Sequence, residues 1–368
     1  MSRFAVTYRI FAASEAEARE RAFGVALEQT VEVPIDVVPA GYVADEIVGQ
    51  IEEIGAESEG RFRVRISYSV DSAGPDLPQF LNVLFGNSSI QTGIRVIGLD
   101  LGALASRYAG PRFGIEGIRA LCQTARGPMI APVLKPMGSG PDALARIADL
   151  TVRAGAQIIK EDHGLADQPT APFEARVPVI AEAVAEANAD TGRRALYFAA
   201  ISGPAESFMA RARYAKEAGA TGFLVMPGLV GFDRVRELAD APDLGLPIMT
   251  HPSFLGPYVL SETTGLSHGV LFGNLQRLAG SDISVFPNVG GRFGFSAEEC
   301  KEIAHACQDP DGIGRPMLPS PGGGMSAERG PEMQSMYGDD TVFLLGGSLL
   351  RAGDQIGTAI SDLIASLE

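Results

Sequence analysis

The chain has 368 residues, of which 46% are hydrophobic and 20% charged, and this composition is typical of a folded globular protein rather than a disordered one. Its formal net charge of -15 at pH 7 and its lack of a basic, aromatic-rich cluster argue against a nucleic acid as partner. The start does not resemble a secretion signal, no apolar run is long enough for a membrane span, and the three cysteines form no disulfide or metal-binding pattern, so we expect a cytoplasmic protein.

The first part of the chain predicts a small α+β domain, which we assign to residues 1–112. Its predicted elements are a strand at 4–11, a helix at 15–26, strands at 43–54 and 61–69, a helix at 77–85 and a strand at 95–101. This βαββαβ order is the ferredoxin-like arrangement.

From residue 113 to 368 short apolar runs alternate with amphipathic stretches, which predicts repeated βα units. The predicted strands are 129–134, 157–160, 195–200, 222–226, 247–250, 283–286, 316–318 and 341–345, and the predicted helices are 141–154, 173–188, 205–218, 232–239, 269–278, 297–306 and 353–367. Eight parallel strands close a (β/α)8 TIM barrel. An open doubly wound sheet is the alternative, but LKPMGSGP lacks the glycine spacing of its nucleotide loop.

Functional residues of such a barrel gather at the carboxyl ends of its strands. Polar side chains at these ends are the candidate site residues, namely Lys135, Lys160, Asp162, His163, His251 and, in the loop after the sixth strand, Arg292. Because side chains alternate along a strand, Glu161 should point away from the interior if its two neighbours point inward. We therefore expect Glu161 to be a structural charge.

Lys160 leaves three roles open: a surface ion pair, a Schiff-base nucleophile, or a carbamate formed with CO₂ that binds a hard divalent cation. The adjacent Asp162 offers the oxygen ligand that Mg²⁺ prefers, whereas the imidazole of His163 suits transition metals better. The residues alone do not separate these roles.

Glycines follow the last two predicted strands, in the segment Pro321-Gly322-Gly323-Gly324 and at Gly346-Gly347. Glycine exposes backbone N–H groups, and this part of a TIM barrel is a frequent phosphate site. Either loop alone could be only a tight turn. Both together favour a phosphorylated substrate.

Seven separated segments then carry a specific resemblance over nearly the whole chain. They are ALEQTVEVP, LKPMG, IIKEDHGLADQ, MTHPSFLG, FPNVGGRFG, PSPGGG and YGDDTVFLLGGSLL, and they resemble, in order, the signature segments of the RuBisCO large-chain superfamily. The resemblance implies a ferredoxin-like domain before a TIM barrel. It also implies a head-to-tail homodimer, or an assembly of such dimers, with active sites at the subunit interface.

Position by position, Lys160 is similar to the carbamylated lysine that binds Mg²⁺ together with Asp162. His163 stands where the carboxylase has a glutamate ligand. Lys135 corresponds to the enolising base, and His251 to a barrel histidine of the family. The resemblance therefore implies Mg²⁺ as cofactor, with a CO₂-derived carbamate on Lys160.

Three further positions are carried over from the family. Arg292 occupies the place of the mobile-loop lysine that stabilises the carboxylated intermediate. Glu28 and Asn82 resemble the residues that reach over the barrel mouth from the partner subunit. The segment Pro321–Gly323 and the pair Gly346–Gly347 match the phosphate cradle.

Other family positions are changed. The second lysine of the KPK motif is Met137, the arginine after the barrel histidine is Pro252, and the next histidines are replaced by Leu255 and Ser284. The arginine and the histidine after it would hold the second phosphate and assist gas addition. The sequence is therefore identified as a non-carboxylating RuBisCO-like protein, of form IV.

The retained metal site, base and phosphate cradle suit proton abstraction or C–C cleavage next to a ketone. We first expect cleavage of 3-oxo-isoapionate 4-phosphate, by a transcarboxylase/hydrolase or a decarboxylase, in apiose catabolism. The alternative is a methionine salvage enzyme, either 5-methylthioribulose-1-phosphate isomerase or diketo-methylthiopentyl phosphate enolase, with an apolar pocket formed by Met137, Leu255 and Phe293. A non-catalytic binding protein is the third hypothesis.

Overall fold

A computed structural model gives the structure of the protein and describes residues 2–367, with all of their side chains except those of Ala327, Ser348 and Asp354. The chain divides into two compact units. The first contains residues up to Ala109 together with Leu255–Asn274, and the second contains Gly110–Phe254 and the residues from Leu275 onward. None of the described helices is both long and apolar enough for a transmembrane span.

The first unit is built on a five-stranded mixed sheet. Its strands are β1 (Arg3–Phe11), β2 (Gln50–Ser58), β3 (Arg61–Ser69), β4 (Ile94–Asp100) and the short β10 (Gly265–Leu266), in the order β10-β4-β1-β3-β2. The helices are α1 (Glu15–Glu28), α2 (Val70–Ala73) and α3 (Leu77–Phe85). β1 runs antiparallel to β3 and β4, which confirms the predicted ferredoxin-like order.

Two sequence predictions for this unit need correction. Val43–Ile47 is a π-helical turn rather than the start of a strand, because local backbone bonds such as Val48 N–H to Val43 O satisfy this segment, and β2 begins only at Gln50. The predicted domain limits of 1–112 and 113–368 placed Leu255–Asn274 in the barrel. In the structure this segment contributes β10, whose Gly265 and Leu266 pair in parallel with β4 of the first unit.

The second unit is a closed barrel of eight parallel strands, as predicted. The strands are β5 (Met129–Leu134), β6 (Ile158–Glu161), β7 (Leu196–Ala200), β8 (Gly222–Val225), β9 (Ile248–Thr250), β11 (Ile283–Pro287), β12 (Leu318–Gly322) and β13 (Val342–Leu345). The helices are α4 (Gly114–Cys122), α5 (Pro141–Arg153), α6 (Phe173–Thr191), α7 (Phe208–Glu217), α8 (Pro227–Val230), α9 (Phe232–Asp240), α10 (Leu275–Leu278), α11 (Ala297–Gln308), α12 (Gly330–Tyr337), α13 (Gly347–Leu350) and α14 (Ile356–Leu367).

The seventh barrel strand lies further along the chain than predicted. It spans Leu318–Gly322 instead of 316–318, so Pro321 and Gly322 are strand residues paired with β11 rather than loop residues. Proline donates no backbone hydrogen bond and is disfavoured inside a sheet, which is why LPSPG does not have the pattern of a strand.

The barrel interior is filled by side chains from alternate strand positions, among them Ala131, Val133, Phe198, Met249 and Leu318. It is therefore a packed core, and the chemistry must lie at one of its ends. Asp282 is buried just before β11 and accepts backbone N–H bonds from Phe113, Gly114 and Ile248. This bonding gives Asp282 a structural role.

Candidate active site

The structure brings the predicted charged residues together at the carboxyl ends of β5, β6 and β9. Lys135 follows β5, Asp162 and His163 follow β6, and His251 follows β9. Lys135 Nζ lies 3.2 Å from Asp162 Oδ1, and His163 Nδ1 lies 3.1 Å from the same oxygen. The rings of His163 and His251 stack with centroids 4.0 Å apart and planes inclined by 14°. Lys135 and His163 thus both contact one carboxylate oxygen of Asp162, and His251 joins the cluster through His163.

Lys160 lies at the base of this cluster and is only 1% exposed. Its Nζ donates a hydrogen bond of 2.9 Å to the carbonyl oxygen of Glu161. Burial lowers the pKa of Lys160 to about 7; the charge of Asp162 opposes that shift and the charge of Lys135 adds to it. A large share of the amine is therefore neutral near pH 7, which is the form that can attack CO₂ or a carbonyl carbon.

Asp162 has one oxygen that lacks a satisfactory partner. Burial raises its pKa, but contact with His163 and the charge of Lys135 outweigh this and lower the pKa to about 2. Oδ1 is buried and, among the described residues, receives no aligned hydrogen bond, although two basic nitrogens lie within 3.2 Å. Buried carboxylate oxygens are normally hydrogen-bonded, so this one is available to an added ligand.

Both carboxylate oxygens of the neighbouring Glu161 accept hydrogen bonds. Its carboxylate is fully buried and accepts two bonds from Arg176, at 2.8 and 3.2 Å, one from the Tyr197 hydroxyl at 2.8 Å and one from the Ala200 N–H at 2.8 Å. The sequence indicated a structural role for Glu161 but not its partner. An arginine beside the buried Val177 of α6 was the available signal, because a buried guanidinium needs a partner.

Arg176 also holds the loop that carries Asp162 and His163. Its guanidinium donates to the carbonyl oxygens of Leu165, Ala166 and Ala171, and the guanidinium carbon lies 5.3 Å from the Phe173 ring centroid. The loop after β6 is therefore tied to the barrel through one buried side chain.

One glycine segment borders the cluster, and the other packs against the loop after β11. A Cβ atom added to Gly346 would lie 4.0 Å from Cε of Lys135, so the loop after β13 runs beside that lysine. Gly323 and Gly324 have positive φ angles of 73° and 92°, which other residues rarely adopt. A Cβ on Gly324 would clash with Gly291, and Arg329 bonds both loops through Val289 O and Gly324 O at 3.0 Å.

Other predicted site residues lie outside the cluster. Arg292 is exposed, and its guanidinium packs 5.1 Å from the Phe293 ring centroid rather than on Lys135 or Asp162. Met137 and Phe293 are 54% and 47% exposed, whereas Leu255 is buried and belongs to the first unit, and the pocket predicted from these three residues stays a prediction.

Glu28 and Asn82 both lie in the first unit. Glu28 ends α1 and accepts a 2.9 Å bond from Asn87, and Asn82 lies on α3 and donates to Gln79 at 3.4 Å. Their predicted role, in the site of a partner subunit, stays a prediction.

Within the part of the chain that the structure describes, no three His, Cys, Asp or Glu side chains form a metal cluster. Asp162 and His163 would supply two donors of the predicted metal site, and the carbamate predicted on Lys160 would supply a third. Two observations fit this prediction: Oδ1 of Asp162 receives no aligned hydrogen bond among the described residues, and the pKa of Lys160 is lowered. The oxygen donors of Asp162 and of a Lys160 carbamate therefore fit the predicted Mg²⁺, whereas the imidazole of His163 is the softer member of the set.

Comparison with known proteins gives a consistent result over the whole chain. The family model described as ribulose bisphosphate carboxylase large chain, catalytic domain, matches residues 114–293. Ribulose bisphosphate carboxylase-like protein 1 of Rhodopseudomonas palustris is 38% identical, over 96% of this chain and 94% of the relative. The 5-methylthioribulose-1-phosphate isomerase of Rhodospirillum rubrum is also 38% identical, over 99% of this chain and 96% of the relative.

A solved structure supports the same relationship. The Rubisco-like protein from Rhodopseudomonas palustris superposes with a TM-score of 0.89 at 34% sequence identity, covering 100% of this chain and 98% of that chain. Its likeness extends to both compact units.

Proposed function

The chain belongs to the RuBisCO large-chain family as one of its RuBisCO-like proteins, and from this premise we propose that it isomerises a phosphorylated methylthio-pentulose by forming an enolate. The relative from Rhodospirillum rubrum that is named 5-methylthioribulose-1-phosphate isomerase supports this choice. The relatives thus favour the methionine salvage alternative over cleavage of 3-oxo-isoapionate 4-phosphate, which stays a prediction.

The observation that carries an enolate-forming reaction is the convergence of Lys135 and His163 on the Oδ1 atom of Asp162. Lys135 is at the barrel mouth, where its amine would take the proton from the carbon next to the ketone. When bound to the Lys160 carbamate, Asp162 and His163, Mg²⁺ would supply positive charge next to the developing oxyanion. His251 would donate a hydrogen bond to a substrate oxygen, and the Arg176 bonds would keep the β6 loop in place.

Two features support the substrate class. The N–H groups of Gly323, Gly346 and Gly347 would bind one phosphate, and the loop after β13 lies beside Lys135. The exposed apolar side chains of Met137 and Phe293 would contact the methylthio group. Met137 extends over Gly164, where its Cε lies 2.8 Å from the position of an added Cβ.

The changed positions support a function other than carboxylation. Pro252 and Leu255 replace the arginine and histidine of the carboxylase, so groups that would hold a second phosphate are missing. One phosphate cradle suits a monophosphate. We further propose a homodimer in which Glu28 and Asn82 of the partner subunit complete each site.

The test is turnover by the purified protein with Mg²⁺ and bicarbonate in D₂O, followed by ¹H and ³¹P NMR. The substrates compared are 5-methylthioribulose 1-phosphate, 2,3-diketo-5-methylthiopentyl 1-phosphate and 3-oxo-isoapionate 4-phosphate. We expect a new pentulose phosphate from the first, with deuterium at the carbon next to the ketone. Cleavage of the apionate derivative alone would replace our proposal, and turnover of none of them would favour a binding protein.

A matched pair of variants separates chemistry from folding. Lys160→Met should reduce turnover at least about 100-fold, because it removes the amine that forms the carbamate. Its stability should not fall, since a buried amine is replaced by an apolar side chain of similar length. Lys301→Met, on the exposed face of α11, should keep full turnover. Equal activity in both variants would contradict a role for Lys160.

A further inference from the structure

The turn after β9 places two donors against one edge of the His251 ring. Ser253 N–H donates to Nδ1 at 3.3 Å, and the Ser253 hydroxyl lies 2.9 Å from the same nitrogen. A backbone N–H can only donate, so the nitrogen that it faces must carry the lone pair. In a neutral imidazole the proton is then on Nε2.

The turn has a defined geometry at both ends. The backbone N–H of His251 donates to Val225 O at 2.9 Å, which fixes the start of the turn to β8. Pro252 has no N–H, so Ser253 provides the first backbone donor after the histidine. Phe254 then adopts a positive φ of 67°, which is rare for a residue with a side chain. This left-handed residue directly follows Ser253, whose two donors face Nδ1.

The contacts of the ring leave room for one proton only. A proton on Nδ1 would point at the Ser253 N–H, which can only donate, so Nδ1 stays unprotonated. His163 stacks on one face of the ring, with the ring centroids 4.0 Å apart. The ring therefore offers one donor, at Nε2, and its only acceptor is already occupied.

We propose that Ser253 is a positioning residue that fixes His251 as the Nε2–H tautomer, so that the histidine donates to a substrate oxygen and leaves proton abstraction to Lys135. The proposal rests on the proposed function for its substrate, but the tautomer itself does not. The oxygen can belong to a ketone or to a phosphate, because both accept a hydrogen bond from a neutral imidazole.

The first experiment needs no substrate. The protein, with ¹⁵N-labelled histidine, is studied by NMR at pH 7.5, where long-range couplings to the ring protons distinguish protonated from unprotonated nitrogens, and His251→Gln assigns the signals. We expect an unprotonated Nδ1 and a protonated Nε2 for His251. A protonated Nδ1 would overturn the proposal, whatever the substrate proves to be.

The second experiment uses Ser253→Ala, which removes the shorter of the two donor contacts. We expect the single His251 tautomer to be replaced by a mixture, and kcat/KM for the isomerisation to fall about five-fold, the effect of one lost hydrogen bond. Ser253→Thr keeps the hydroxyl and should restore both properties. Ser207→Ala, which removes a hydroxyl that donates to Pro204 O in the loop after β7, is the control and should change neither.

The outcomes remain distinguishable. If Ser253→Ala retains the parental tautomer and kcat/KM, Ser253 has no positioning role. If no pentulose phosphate is turned over while the tautomer is as expected and is lost in Ser253→Ala, the proposed function fails and the role of Ser253 stands. If Ser253→Thr restores the thermal stability but not the tautomer, the role is only structural and the proposal is wrong.

Discussion

Glu161 and Asp162 are adjacent in the sequence, yet their carboxylates lie in two regions of opposite character. Glu161 belongs to the region behind the barrel strands, where Arg176, Tyr197 and the Ala200 N–H satisfy both of its oxygens. Asp162 faces the barrel mouth, where Oδ1 touches two basic nitrogens without an aligned hydrogen bond. The Glu161 carboxylate is therefore fully hydrogen-bonded, whereas Oδ1 of Asp162 can still bind a ligand.

The comparison shows how one strand end separates stability from chemistry. A saturated buried ion pair is costly to break and resists movement, which suits the anchoring of a loop. A carboxylate next to basic groups stays ionised. An oxygen of that carboxylate that receives no aligned hydrogen bond can bind a cation or a substrate group. Substitutions in the two regions and a change of pH should therefore affect stability to different degrees.

Removing the saturated carboxylate should cost the most stability. Glu161→Ala leaves the Arg176 guanidinium buried without its counterion, which should lower the free energy of unfolding by about 3–5 kcal/mol. Asp162→Ala should cost less than half as much, because it breaks no aligned bond of Oδ1. Urea unfolding of both variants, in EDTA, measures the difference. Equal losses would show that the two carboxylates do not differ in the proposed way.

The contribution of the ionised Asp162 to stability should become visible at acid pH. The pKa of Asp162 is lowered from 3.8 to about 2, so its ionised form stabilises the fold above pH 4, and that contribution is lost as the pH falls towards 2. The shift corresponds to about 2 kcal/mol. We expect the stability difference between the parent and Asp162→Asn to shrink by this amount between pH 5 and 2. A constant difference across that range would contradict the lowered pKa.

The smallest effect is expected from one hydroxyl of the Glu161 region. Tyr197→Phe removes a single 2.8 Å bond to Glu161 Oε1 and should lower the free energy of unfolding by about 1 kcal/mol. Tyr214→Phe removes a 2.7 Å bond at the surface and should cost less, because water replaces the lost partner. Thermal unfolding of the pair gives the comparison. A larger loss in Tyr214→Phe would mean that burial does not set the cost.

Much of the fold could be predicted because its signals are local. The strands at Met129–Leu134 and Arg61–Ser69 and the helix at Leu77–Phe85 were predicted with the observed limits, since apolar periodicity and turn residues define them within a few positions. The turn at Val43–Ile47 was not, because alternation without pairing information does not distinguish a turn from a strand. The strand Leu318–Gly322 was not, because its two prolines are untypical of a strand. The attachment of β10 to β4 depends on residues about 170 positions apart.

The sequence by itself determined the barrel, the polar residues that close its strands and the likeness to a known family, because strand ends and glycine runs are properties of neighbouring residues. Tertiary structure alone decided which of those residues act together. Arg176 reaches Glu161 across 15 positions, and Tyr197 reaches it across 36. His163 meets His251 from a different strand. The pKa values of Lys160 and Asp162 depend on burial and on the neighbouring charges. Both arise only when these distant segments pack together.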